Sequence, residues 1–210
     1  MRRSLIAAVV GIFTGIAIAQ PNSDPAHLTA RQQDAYAIYS MLMPGTVLAN
    51  LGSSQNQRWA IADTTVNYED INPALAPEAA LKAPNEHPRR FHDAVLDYEQ
   101  RRGERQTLVP AFRLDRPYAL LTQADIQDFR VARTTAAPGN ASTQKYSGYP
   151  GINYFSDVYF NPQRNAALVY QLAWCGSFCS LGEWVYLEKH DGHWVRRSGQ
   201  AAIASGAKPF

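Results

Sequence analysis

Apolar positions recur along the chain with two different periods, which divide it into a helix-rich half and a strand-rich half. Over residues 24–130 the apolar side chains favour helices, because they return every three to four positions. Over residues 149–198 they alternate or run continuously, as in strands. The intervening residues 134–148 are small and polar and indicate an exposed loop. The pattern therefore predicts one α+β domain over residues 20–198.

Three helices are predicted in the first half. The first covers residues 24–42, with Asp24 as its N-cap. The second runs from Pro88 to about Gly103, because proline suits a first helical position and glycine a helix end. A short third helix follows Thr122, which forms a capping box with the acidic residue three positions later. A strand is also expected over residues 58–66.

An antiparallel sheet is predicted in the second half, with helices of the first half packed on it. Four runs rich in β-branched and aromatic residues are separated by turn residues, and the strands are expected at 153–160, 166–175, 183–189 and 194–197. The run 166–175 is apolar at both odd and even positions. It therefore predicts a central strand covered on both faces.

The turn between the last two strands sets which side chains share a face. A two-residue turn at Asp191 and Gly192 places Leu187 opposite Arg196, whereas a three-residue turn with Gly192 in a bulge places Leu187 opposite Val195. A shift of one residue moves every side chain to the other face. The alternation of apolar and polar positions favours the three-residue turn.

With that register, three aromatic rings and one charge lie on a single face of the sheet. This face would form a ligand-binding surface for a glycan, a peptide or peptidoglycan, because flat rings stack on such ligands. The alternative is that helices of the first half cover the face and the rings belong to the core. The residues are Trp184, Tyr186, Trp194 and Arg196.

The first 19 residues have the three parts of a secretory signal peptide. Arg2 and Arg3 precede a short apolar run, which ends in small residues at Ala17 and Ala19. The apolar run is shorter than the roughly 20 residues of a membrane-spanning helix, although an uncleaved anchor is the alternative. A periplasmic or secreted protein is therefore expected, with residues 199–210 as a flexible tail.

Loss of the signal peptide changes the charge of the working protein. The whole chain has 20 basic and 18 acidic residues, and residues 1–19 contain two of the basic ones. The remaining part has 18 of each, so its formal net charge is zero. Nucleic acid is not an expected partner, because no basic surplus exists to neutralise phosphates. No later segment is apolar and long enough to span a membrane.

Five short motifs of the second half occur in a fixed order. The series begins with Tyr149-Pro150-Gly151, and its other four motifs resemble the carboxy-terminal pattern FSxVxFN, ALVY, CGxxC and LEKxDGxW of a group of exported bacterial proteins of unknown function. The resemblance implies export and sheet structure, and it carries over no catalytic residue and no cofactor. The matching segments of this chain are 149–151, 155–161, 167–170, 175–177 and 187–194.

Cys175 and Cys179 are the only two cysteines of the chain. In an exported protein an even pair predicts a disulfide, here one that fixes a small loop. The alternative is a redox-active or metal-binding pair, which usually has a two-residue spacer at the start of a helix.

Histidines and carboxylates offer alternative chemistry. His190 and His193 flank a turn, and His87 and His92 flank a helix start, but neither spacing defines a metal site, and none is predicted. The carboxylates Asp63, Glu69 and Asp70 are candidates for glycoside hydrolysis only if the fold brings two of them together. No catalytic residue is assigned. The sequence favours a non-enzymatic envelope or secreted domain that binds or scaffolds a glycan, peptidoglycan or an envelope protein, and the alternative is a hydrolase of envelope material.

Overall fold

The computed structural model describes residues 27–45, 48–49, 57–71, 76–134, 145–176 and 179–197. The predicted signal peptide and carboxy-terminal tail lie outside these residues. The helices are α1 (Ala30–Leu42), α2 (Pro77–Ala80), α3 (Pro88–Arg101) and α4 (Gln123–Thr134). The strands are β1 (Trp59–Ala62), β2 (Tyr118–Leu121), β3 (Ile152–Phe155), β4 (Tyr159–Phe160), β5 (Ala166–Gly176), β6 (Cys179–His190) and β7 (His193–Arg197).

One seven-stranded sheet organises the described residues. Its strand order is β2-β1-β3-β5-β6-β7, and β4 pairs with β5 beside β3. The pairs from β3 to β7 are antiparallel, whereas β1 pairs with β2 and β3 in parallel. The predicted α+β class is confirmed, with a sheet that extends beyond the last third of the chain.

Helices and loops cover both faces of the sheet. On one face α3 and α4 bury Phe91, Tyr98 and Phe129 against even-numbered residues of β5 such as Leu168. On the other face α1 and the segment around Phe112 cover odd-numbered residues of β5. Residues 166–174 are all buried. The prediction of a central strand covered on both sides is therefore confirmed.

The helix ends follow local capping chemistry. The predicted capping box at Thr122 is present, since its hydroxyl accepts the Asp125 backbone N–H at 3.2 Å and Thr122 N–H donates to the Asp125 carboxylate at 3.4 Å. The predicted start of the first helix at Asp24 lies outside the described residues, but Leu28 and Thr29 are not helical, so the helix does not run unbroken over residues 24–42. Helix α1 begins at Ala30, where Thr29 and Gln32 form a capping box. This second S/T-x-x-Q/E motif specifies the start better than the aspartate does.

Two predicted strand boundaries are also corrected. The single strand expected over residues 153–160 is interrupted between β3 and β4, because the Ser156 hydroxyl accepts the Tyr170 N–H that would otherwise join the ladder. The loop expected after Cys175 is a tight hairpin, in which Gly176 pairs with Cys179 and β6 begins at once. The first difference arises from a hydrogen bond between neighbouring strands, and the second from a short turn.

The final turn has two residues, so the predicted three-residue turn is wrong. Leu187 pairs with Arg196 and His190 with His193, and the turn residues Asp191 and Gly192 have φ of 48° and 81°. Positive φ at both positions is typical of a type I′ turn, which Asp-Gly favours. The alternation of apolar residues does not decide the register here, because β7 is an edge strand and Val195 is 42% exposed.

Candidate functional site

The two-residue turn divides the predicted aromatic face between the two sides of the sheet. Trp184 and Tyr186 lie on the side covered by α3, with exposed fractions of 1% and 2%. The Trp184 ring contacts Tyr98 of α3 at 5.3 Å, and Phe91 of α3 meets the Tyr186 ring at 5.3 Å. These two rings are core residues, as the alternative interpretation of the sequence held.

Trp194 and Arg196 lie on the opposite side of the sheet from those rings. Trp194 is half-buried between the Phe160 ring at 5.8 Å and the Lys189 ammonium at 4.8 Å. Arg196 forms an ion pair with the buried Glu183 at 2.6 Å. The four residues therefore do not form one surface.

Two of the candidate carboxylates meet in a pocket of about 320 Å³ at the carboxyl end of β1. Asp63 and Asp70 both line it, together with Arg105 and Tyr154, whereas Glu69 is not among the lining residues. Both Asp70 oxygens are held by Arg105, at 2.5 and 2.7 Å. Because both of its oxygens are engaged by Arg105, Asp70 is not free to act with Asp63 as an independent second carboxylate.

Two of the candidate histidines lie beside a buried carboxylate. His87 Nδ1 is 3.5 Å and His190 Nε2 is 3.9 Å from Glu188, which is 1% exposed and also contacts Arg197 at 3.3 Å. Burial alone would raise the pKa of Glu188, but hydrogen bonds from Tyr186 and Arg197 and the charge of His87 outweigh it and lower that pKa. In the part of the chain that the structure describes, no three His, Cys, Asp or Glu side chains are grouped to hold a metal ion.

The predicted disulfide between Cys175 and Cys179 is present, with a Cα–Cα distance of 5.1 Å. It joins the end of β5 to the start of β6 across their hairpin. Both cysteines are half-buried and line a surface pocket. The disulfide therefore fixes the wall of a pocket as well as a turn.

This pocket, which we call the disulfide-end pocket, has a volume of about 420 Å³. It forms because the parallel strands β1, β2 and β3 begin where β5 ends and β6 begins, so five strand ends meet at one edge of the sheet. The end of α4 supplies a further wall. The lining residues are Gln57, Arg133, Ser147, Gly148, Tyr149, Pro150, Cys175 and Cys179.

Three arginines are held around the disulfide-end pocket. Arg133 lines it and donates a hydrogen bond to the Tyr149 carbonyl oxygen. The Arg58 guanidinium lies over the Tyr149 ring, 5.5 Å from its centre. Arg116 donates to the Gln57 side-chain oxygen at 2.8 Å and lies over the Trp59 ring. The pocket rim is therefore positively charged.

The wall around Tyr149 is held by close backbone contacts. Arg58 N–H donates to the Gly148 carbonyl at 2.9 Å, which ties the start of β1 to this wall. Gly151 lies directly against the Trp174 carbonyl, so a Cβ at this position would overlap backbone atoms of β5. Only glycine fits so close an approach.

Sequence reasoning did not identify the disulfide-end pocket. Arg58, Arg116 and Arg133 are far apart in the chain, and no motif contains two of them. Arg58 directly precedes β1 and Arg116 lies two residues before β2, but their convergence depends on the parallel pairing of those strands. The only local indication was the cysteine pair.

Comparisons with protein families, with curated proteins and with solved structures find no match to this chain. A search of the described residues finds no helix long and apolar enough to cross a membrane. The site geometry is therefore the basis for a functional proposal.

Proposed function

We propose that this chain is an exported, non-enzymatic binding domain of the cell envelope or the secreted fraction, and that it binds its ligand in the disulfide-end pocket. The observation that carries the proposal is the pocket itself. Five strand ends and the end of α4 meet there, and the disulfide and Gly151 hold its walls. A preformed pocket with a few convergent polar groups is the usual form of a small-ligand site.

Two features support export. Residues 1–19 have the basic, apolar and small-residue parts of a signal peptide. The Cys175–Cys179 disulfide is typical of proteins that fold outside the reducing cytosol. Envelope glycans and peptidoglycan are consequently the material most accessible to the folded protein.

Binding is a better account than hydrolysis of envelope material. In the pocket at the carboxyl end of β1, Asp70 is engaged by Arg105, so the described lining residues leave Asp63 without an independent second carboxylate. Glycosidases generally use two carboxyl groups with separate roles. The disulfide-end pocket has arginine, glutamine and tyrosine but no carboxylate among its described lining residues, so the carboxylate pair of most glycosidases is missing from that lining.

The proposal is tested by filling the pocket. Purified protein lacking residues 1–19 is mixed with peptidoglycan sacculi and with extracted envelope polysaccharide from the producing cell, and the retained fraction is measured by cosedimentation. Ser147→Trp places a large ring at the exposed edge of the pocket and is expected to abolish retention.

A matched control places the same ring elsewhere. Ala37 is exposed on α1 and lines a different pocket, of about 650 Å³. Ala37→Trp is expected to leave retention unchanged. Failure of the wild-type protein to bind either preparation, or loss of binding in Ala37→Trp but not in Ser147→Trp, would overturn the proposal.

A further inference from the structure

The charge around the disulfide-end pocket is unbalanced. Among the described residues, neither Arg58 nor Arg133 forms an ion pair with a carboxylate, and the nearest acidic contact of Arg116 is the exposed Asp115 at 4.0 Å. The guanidinium groups instead contact aromatic rings, an amide oxygen and a backbone carbonyl. Among the described residues, the three arginines thus have one acidic neighbour, the solvent-exposed Asp115.

Two half-buried arginines elsewhere in the fold are paired with carboxylates. Arg101 contacts the buried Asp157 at 2.8 Å, and Arg31 contacts Asp97 at 2.8 Å. Because a desolvated charge is costly without a partner, proteins normally pair it in this way. Among the described residues, the exposed Arg58 and Arg133 and the half-buried Arg116 have no such close carboxylate partner.

Arg133 is a surface residue of α4 whose guanidinium is partly desolvated. Burial lowers the pKa of its guanidinium, and no carboxylate acts in the opposite direction. Its hydrogen bond to the Tyr149 carbonyl fixes one side of the planar group. A guanidinium held in this way is preorganised to donate paired hydrogen bonds to a planar or tetrahedral oxyanion.

The contacts of Arg58 and Arg116 likewise orient their guanidinium groups. The Arg58 guanidinium lies over the Tyr149 ring, and Arg116 lies over the Trp59 ring and donates to the Gln57 oxygen. Gln57 is itself buried, with 6% of its surface exposed. Such stacking orients a guanidinium without neutralising it.

We propose that the disulfide-end pocket binds an oxyanion, a carboxylate or a phosphate carried by an envelope saccharide, between Arg58, Arg116 and Arg133. This inference rests on the binding function proposed above and specifies the chemistry of its ligand. The oxyanion supplies the counter-charge that the described residues lack. Peptidoglycan fragments present carboxylates and other envelope saccharides present phosphates, so the two sources share the recognised chemistry.

The test is a calorimetric titration with three probes: a soluble muropeptide with free carboxylates, the same muropeptide with its carboxylates amidated, and inorganic pyrophosphate. Arg133→Gln and Arg58→Gln are each expected to weaken binding of a charged probe by about tenfold to hundredfold, as for loss of a charge-assisted hydrogen bond. Arg89→Gln removes an exposed charge of α3 and serves as the matched control, with wild-type affinity expected. Affinity for the charged probe should also fall as salt is raised.

The outcomes separate this inference from the proposed function. Binding of the free but not the amidated muropeptide identifies a carboxylate, and binding of pyrophosphate alone identifies a phosphate. Equal binding of both muropeptides, or wild-type affinity in both Arg133→Gln and Arg58→Gln, overturns the inference that the ligand is an oxyanion. The proposed binding function still holds in that case if Ser147→Trp abolishes retention. If Ser147→Trp also has no effect, the pocket itself is refuted.

Discussion

Trp184 gives the most direct test of how the sheet is packed. The structure buries it between β5 and α3, with Tyr98, Tyr159 and Tyr170 around its ring at 5.3, 6.2 and 5.5 Å. Trp184→Ala would remove roughly 150 Å² of buried ring surface, which at about 25 cal/mol per Å² corresponds to about 4 kcal/mol. Lost ring contacts and an unfilled cavity act in the same direction, and 3–5 kcal/mol is the usual range for such a change.

The assay is equilibrium unfolding in guanidinium chloride, with Trp194→Ala as the comparison. Trp194 is only half-buried, beside Phe160 and Lys189, so its loss is expected to cost roughly 1–2 kcal/mol. The melting temperature of Trp184→Ala should fall by about 10 °C. A cost below about 1 kcal/mol for Trp184→Ala, together with lost ligand retention, would refute the buried position and restore the exposed aromatic face predicted from the sequence.

Three further predictions concern Glu188, the Cys175–Cys179 disulfide and Gly151. Glu188→Gln should cost about 1–2 kcal/mol at pH 7 in urea unfolding, less than for a fully enclosed pair because Arg197 is 34% exposed. The pKa of Glu188 is lowered on folding, so its contribution to the free energy of unfolding is complete above the ordinary value near 4.5 and is lost as pH falls below it. The stability of Glu188→Gln should therefore fall less steeply with decreasing pH in the acid range than that of the wild type. An unchanged pH dependence would contradict the lowered pKa of Glu188. Replacing both cysteines by serine should cost about 2 kcal/mol in the same assay and weaken retention by envelope material, whereas the native protein should contain no reactive thiol. Gly151→Ala should lower stability by about 1–3 kcal/mol, because the Trp174 carbonyl cannot move aside, and a neutral result would contradict this close approach.

Local patterns were enough for much of the fold. The continuous apolar run of β5 predicted a covered central strand, and the hydroxyl and carboxylate of Thr122 and Asp125 predicted a helix start. The pairing of Cys175 with Cys179 was predicted from their number and spacing. Each of these depends on residues within a few positions of one another, or on the choice between burial and exposure, and the sequence carries such information directly.

Local turn chemistry decided the register of β7, and tertiary structure alone decided the composition of the pocket. An exposed edge strand is not constrained by burial, so the turn geometry of Asp191 and Gly192 set which face receives Trp194. Strands β1 and β2 are four residues long, and their parallel pairing depends on partners distant in the chain. That pairing gathers Arg58 and Arg116 at one edge of the sheet. The sequence by itself thus determined which segments are buried. The long-range pairing of strands determined which charged side chains lie close together, because a side chain's neighbours across a sheet are not encoded by its neighbours along the chain.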